Sequence, residues 1–210
     1  MARCFFSTDG WRLSCYPTYT AVEPNGYRIH LGDSGRIRRV AMNALPTGTR
    51  APDGALELRR VFTVPAAELW TYLAASDRTA LWFGSWQGDP RSGAVEVALT
   101  AEEGTPREKV QILSCDRAAY LLSVSTGEGE EMWRLELSIE EVTDGSQLVF
   151  RMPGLDPAMA GSVGPGWDYY LDRLVAAVSG ANADEIRFEP DYYPALSSYY
   201  ESLFTPSPGQ

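Results

Sequence analysis

The stretch from Glu131 to Met152 leaves its backbone little choice. In "EMWRLELSIEEV" the apolar residues Trp133, Leu135, Leu137 and Ile139 alternate with Arg134, Glu136, Ser138 and Glu140. That is the period of a strand with one apolar face and one wetted face. "TDGS" reads as a hairpin turn, and "QLVFRM" returns Leu148, Phe150 and Met152 to the apolar side. Three runs of the same kind precede it. "GAVEVALT" puts Val95, Val97 and Leu99 on one face, and "REKVQILSC" and "AAYLLSVST" pair around Asp116-Arg117. Consecutive hairpins predict an antiparallel sheet whose apolar face must be covered.

Helices supply the cover. "VGPGWDYYLDRLVAAV", Val163 to Val178, spaces Trp167, Tyr170, Leu171, Leu174, Val175 and Val178 as one helical stripe, and Gly180 stops it. Asp168, Asp172 and Arg173 fall off that stripe, and the two aspartates are expected to face water, Asp168 favoured there by the helix dipole. Gly164, Pro165 and Gly166 are expected to let the backbone pass close to the sheet, so that Trp167 drops onto the strands. Upstream, "LELRRVFTV" is a strand ending at Pro65. "PAAELWTYLAA" is a helix with Leu69, Trp70 and Leu73 on its buried face, and a second short helix is expected from Asp77 to Phe83.

The flanks read differently, and three segments result: residues 1–54, 55–180 and 181–210. Residues 1–41 lack periodicity and carry six arginines against Asp9, Glu23 and Asp33, whereas the remainder is strongly acidic within a chain of net charge −10. Arg38 to Met42 can be encoded by a purine-rich AGGAGG-type string just before an ATG, the layout of a bacterial ribosome-binding site. Met42 as the natural start, with residues 1–41 as translated upstream sequence, is one expectation; a genuine loosely docked arm is the other. Residues 43–54 read as a flexible lead-in. The last segment is an aromatic tail. Its "PALSSYYESLF" is expected to form a short helix with Ala195, Tyr199 and Phe204 on one side, strapped over its own domain, with partner binding as the alternative.

Composition narrows the chemistry. An acidic body repels phosphate backbones, so nucleic acid is not an expected partner. Lys109 is the single lysine, and no glycine-rich loop followed by lysine is present. No apolar run reaches the roughly 20 residues of a membrane helix. The N-terminus lacks a secretory signal's apolar core, so a cytoplasmic protein is expected. Cys4, Cys15 and Cys115 have no metal-site spacing, and no metal or cofactor is expected; Cys115 is expected to be a buried thiol. His30 is the only histidine, and a chain starting at Met42 would have none, which removes the common nucleophile–base dyads. The carboxylate groups Glu102-Glu103, Glu128/Glu130/Glu131 and Glu140-Glu141 fall in turns or at strand ends and read as solvated surface.

"LRRVFTVPAAELWTYL", then "LWF", and later Gly166-Trp167 with Leu171 and Leu174 resemble the AHSA-type branch of the SRPBCC superfamily, the START-like helix-grip proteins, over about residues 56–180. Two features depart from that pattern. Gly93 is followed by Ala94 where a glycine pair is frequent, and "CDRAAY" lacks a frequent turn proline. The resemblance implies an α+β helix-grip fold: a curved antiparallel sheet wrapped around a long C-terminal helix, with two short helices after the first strand. It also implies a deep cavity for an apolar small molecule. The candidate lining is Trp82, Phe83 and Trp86 near the short helices, then Val97 and Leu99 on the next strand. Trp133, Leu135 and Phe150 follow on the hairpin, and Trp167, Tyr170 and Leu171 on the long helix. A small-molecule binding protein is therefore the first expectation. A protein-interaction module of the co-chaperone type, with a chaperone or other protein as partner, is the second. A cyclase- or hydrolase-like enzyme is the third, with no catalytic residue singled out.

Overall fold

The computed structural model describes residues 21–22, 28–31, 37–40, 44–127 and 132–205. Cys4, Cys15 and the Glu128, Glu130 and Glu131 group lie outside the described residues. The chain divides into two units, Met1–Ala44 and Leu45–Gln210. In the first, three short strands pair antiparallel in chain order: β1 (Ala21–Val22), β2 (Arg28–Leu31) and β3 (Ile37–Val40).

The second unit opens with β4 (Thr49–Arg50) and β5 (Leu56–Phe62). Leu56, Leu58 and Phe62 point inward from β5, and so does Arg60. Helix α1 (Ala66–Ala74) starts behind Pro65, buries Leu69, Trp70 and Leu73, and ends where Ala75 turns extended. Helix α2 (Ser76–Thr79) is shorter than the sequence pattern predicts. The chain leaves it through turns to reach β6 (Gly84–Gln87), a strand too short to show an alternation. There follow β7 (Ala94–Leu99), β8 (Arg107–Asp116), β9 (Leu121–Thr126), β10 (Trp133–Val142) and β11 (Gly145–Met152). Helix α3 (Ala160–Val178) begins three residues before Val163 and carries Pro165 inside it. Helix α4 (Ser197–Phe204) closes the described chain.

Eight strands form one antiparallel sheet in the order β4-β5-β11-β10-β9-β8-β7-β6. The registers match the sequence alternation: Leu137 faces Phe150 across β10 and β11, and Phe150 faces Leu58 across β11 and β5. A register shift between Ile112 and Ser114 in β8 adds local twist and helps curl the sheet. Helix α3 lies against β5, and Leu171 and Leu174 are fully buried beneath it. At its end the Gly180 N–H donates to the Ala177 carbonyl and the Ala181 N–H to the Ala176 carbonyl. Gly180 has φ 72°, the left-handed value that this cap requires. The fold is an α+β helix grip.

Candidate functional site

Side chains do not fill the space between sheet and α3. A cavity of about 490 Å³, the outer one, opens beside α3 toward residues 101–103, and another of about 170 Å³, the inner one, lies over the sheet. Phe83 and Trp167 border both and form their common wall. Their rings are nearly parallel, at 18°, with centroids 6.2 Å apart. Phe150 braces Trp167 from the sheet at 4.3 Å, and Tyr170 meets Phe83 edge-on at 5.0 Å.

The sequence candidates distribute over this space. Phe83, Leu99, Trp133, Trp167 and Tyr170 border the outer cavity. Trp82, Trp86, Val97, Leu135 and Phe150 join Phe83 and Trp167 around the inner one. Leu171 borders neither; it is fully buried in the α3 core. Trp82 also has a packing role, since its indole N–H donates to the Tyr72 carbonyl at 2.9 Å. Cys115, expected to be buried, is exposed at the end of β8.

Polar groups stand at the outer rim: Glu102 and Glu103 read in the sequence as solvated surface, and Glu108 is not among the sequence candidates. Glu102 and Glu103, after β7, and Glu108, on β8, all border the cavity. The Tyr170 hydroxyl donates to Glu102 Oε1 at 2.9 Å, and Thr126 Oγ1 donates to Glu108 Oε2 at 2.7 Å. Burial, reinforced by Glu102, pushes the Tyr170 phenol well above its ordinary value, so it stays a neutral donor. Among the described residues no cluster of three or more His, Cys, Asp or Glu could hold a metal ion.

Behind α3 the expectation for its charged residues is overturned. Asp168 is 0 % exposed, and its carboxylate meets the Arg60 guanidinium at 2.9 Å. Arg60 also reaches Asp172 at 2.9 Å. Thr47 donates to Asp168 through its backbone N–H at 3.2 Å and its hydroxyl at 2.5 Å, and the Tyr200 hydroxyl donates to the same carboxylate. Tyr192 donates to Asp172 at 2.7 Å. Desolvation works against the Arg60 charge, but Asp172 and Asp168 outweigh it and hold the guanidinium firmly protonated. Arg173, equally buried, donates to the carbonyls of Trp82 and Ala183 at 3.0 and 2.8 Å. The helix is covered on two sides, so the face opposite the sheet is not wet.

That second cover is the tail together with residues 47–50. Tyr200 and Phe204 of α4 and Leu196 just before it are buried; Phe204 is as expected, while Ala195 is exposed and Tyr199 half-buried, each giving its place to the next residue. Tyr193 is exposed. The Tyr200 ring occupies a slot between two glycines: a Cβ on Gly164 would lie 2.1 Å from it, and one on Gly48 2.4 Å. The expected role of the glycines is thereby corrected. Gly164 admits the tail, not the sheet, and Gly166 faces open space at the outer cavity. Residues 47–50 are likewise no loose lead-in. The Gly48 N–H donates to the Tyr200 hydroxyl at 3.0 Å, and the Gly48 carbonyl accepts from Tyr199 at 2.8 Å.

Burial and the adjacent Asp168 raise the Tyr200 phenol above the ordinary 10.0. The unfolded chain therefore releases protons near that pH while folded Tyr170 and Tyr200 keep theirs. Stability present below pH 10 should fall as pH rises above it. Absorbance titration at 295 nm should show two tyrosines that ionise only with unfolding; full ionisation in the folded protein would contradict the assignment.

The family model described as "Activator of Hsp90 ATPase homolog 1-like protein" matches residues 63–179. The chain belongs to this family. This AHSA-type, SRPBCC protein also resembles solved structures. The crystal structure of CalU16 from Micromonospora echinospora is 24 % identical, covers 75 % of this chain and 94 % of its own, and has a TM-score of 0.56. DynU16, from the dynemicin biosynthetic locus, is 17 % identical over 63 % of this chain and 50 % of its own, with a TM-score of 0.53. EF2215 from Enterococcus faecalis, of unknown function, is 16 % identical over 74 % and 88 %, also at 0.53. These likenesses establish the fold of this AHSA-type chain. Comparison with curated proteins gives no match.

Proposed function

We propose that the protein binds an apolar small molecule between the sheet and α3. The observation that carries this reading is the unfilled outer cavity of about 490 Å³, walled by Phe83, Leu99, Trp133, Trp167 and Tyr170. Apolar, concave space with a few polar groups at its rim suits such ligands. Two structural neighbours bear on the class: DynU16 comes from a biosynthetic locus, and CalU16 shares the fold. A chaperone or other protein partner, the alternative, calls for a closed core. No described helix is long and apolar enough to cross a membrane.

Diphenylhexatriene, an apolar rod that fluoresces when removed from water, tests the reading. It should bind at micromolar concentration and alter tryptophan emission. Gly166→Leu should abolish binding without unfolding the protein, because a Cβ there meets nothing within 4 Å. Absence of binding to the wild type would refute the proposal. Trp167→Ala should cost less than the about 3–5 kcal/mol of a filled core site, because cavities border the ring. Urea denaturation measures this, and a loss in the full range would mean a packed core.

The domain reading is that residues 1–41 are dispensable. Thr47 and Gly48, which fasten the tail, lie downstream of Met42, and Met1–Ala44 is a separate unit. Proteins beginning at Met1 and at Met42 should melt within a few degrees of each other. A large loss in the shorter one would show that the arm is integral.

A further inference from the structure

The rim of the outer cavity carries a sign. Besides aromatic and aliphatic walls, the charged groups among its described lining residues are Glu102, Glu103 and Glu108, with no Lys or Arg among them. Among the described residues none of these three carboxylates forms an ion pair: Glu102 accepts from the Tyr170 hydroxyl, and Glu108 from Thr126. Neutral donors orient a carboxylate without cancelling its charge. Arg173, on α3, sits behind the lining residue Tyr169, and its guanidinium is engaged by the carbonyls of Trp82 and Ala183, by Asp184 and by the Tyr169 hydroxyl. Tyr170 joins both chemistries, since its ring packs on Phe83 and Trp167 while its hydroxyl holds Glu102. A cation placed there would meet carboxylates on one side and aromatic faces on the other, both attractive.

Resting on the apolar-binding reading above, we propose that the ligand is an amphiphile: an apolar, ring-bearing body with a protonated amine or quaternary ammonium end, seated with its charge among Glu102, Glu103 and Glu108. An anionic ligand with the same body is discriminated against. Exposed carboxylates still act across a few ångströms, and they are partly screened by salt.

Three probes with one fluorescent body separate the claims: diphenylhexatriene, its trimethylammonium derivative and its propionic acid derivative. The cationic probe should bind at least about tenfold tighter than the anionic one at low salt, with the gap narrowing as salt rises. Glu102→Gln/Glu103→Gln/Glu108→Gln should reduce the gap to within about threefold while neutral-probe binding persists. A control, Glu140→Gln/Glu141→Gln/Asp144→Asn, removes three exposed acids from the β10–β11 hairpin and should leave the gap in place. Equal binding of all three probes, or tighter binding of the anion, overturns the amine assignment while the apolar reading survives. A gap erased equally by the control assigns the preference to the net charge of −10 and overturns the rim site. No binding of any probe overturns both readings.

Discussion

Replacing Arg60 by alanine is expected to cost about 3–5 kcal/mol of folding stability, the range for removing one partner of a buried ion pair. The guanidinium is the cation facing both Asp168, 0 % exposed, and Asp172. Its loss would leave two carboxylates close together in the interior. Desolvation already pushes the Asp172 carboxyl above its ordinary value, with Arg60 the main opposing influence. The variant should therefore take up a proton at Asp172 on folding and recover stability as pH falls toward that raised value. Adding Asp168→Asn and Asp172→Asn should return part of the loss at neutral pH, since amides need no counter-charge. Urea denaturation at two pH values checks this. A loss below about 1 kcal/mol would mean that water reaches the pair and that the charges are effectively at the surface.

Tyr200→Ala is the second large effect, expected at about 3–5 kcal/mol, as for other buried aromatic truncations. The ring is fully buried between Gly48 and Gly164, and its hydroxyl both donates to Asp168 and accepts from the Gly48 N–H. Tyr200→Phe separates the two contributions. It keeps the ring but leaves Gly48 without its acceptor and Asp168 without one donor, for about 1–3 kcal/mol. Gly164→Ala should resemble Tyr200→Ala, because the added methyl lies in the space of the ring. Amide exchange between residues 193 and 203 should be slow in the wild type and fast in both Tyr200→Ala and Gly164→Ala. Equal protection in all three would show that the slot does not hold the tail.

Strand alternation and the α3 stripe, both local patterns, made the sheet and the long helix legible. Trp133, Leu135 and Leu137 share a face because a strand has period two, and that needs no tertiary information. What stayed hidden depends on segments distant in sequence. Asp168 and Asp172 looked wet because a helix with one apolar stripe is ordinarily covered on one side; here α4 and residues 47–50 cover the other. Two signals pointed the other way. In "LELRRVF", Arg60 occupies an inward position of the alternation, and an inward arginine needs a buried acid. Gly164 and Gly161 also mark a helix face that another backbone element approaches closely: a Cβ on either would meet Tyr200 or Glu201. The acidic rim was invisible for a different reason. Glu102 and Glu108 are exposed, and only the curl of the sheet brings them to the cavity beside Tyr170.

The central claim is that the space between sheet and α3 holds a ligand. A crystal structure of the protein soaked with the trimethylammonium derivative of diphenylhexatriene tests it most directly. The expected electron density is a rod in the outer cavity against Trp133 and Trp167, with its charged end beside Glu102 and Glu103. Density confined to the outer surface, with the rings of Phe83, Trp133 and Trp167 closing the cavity, would contradict it.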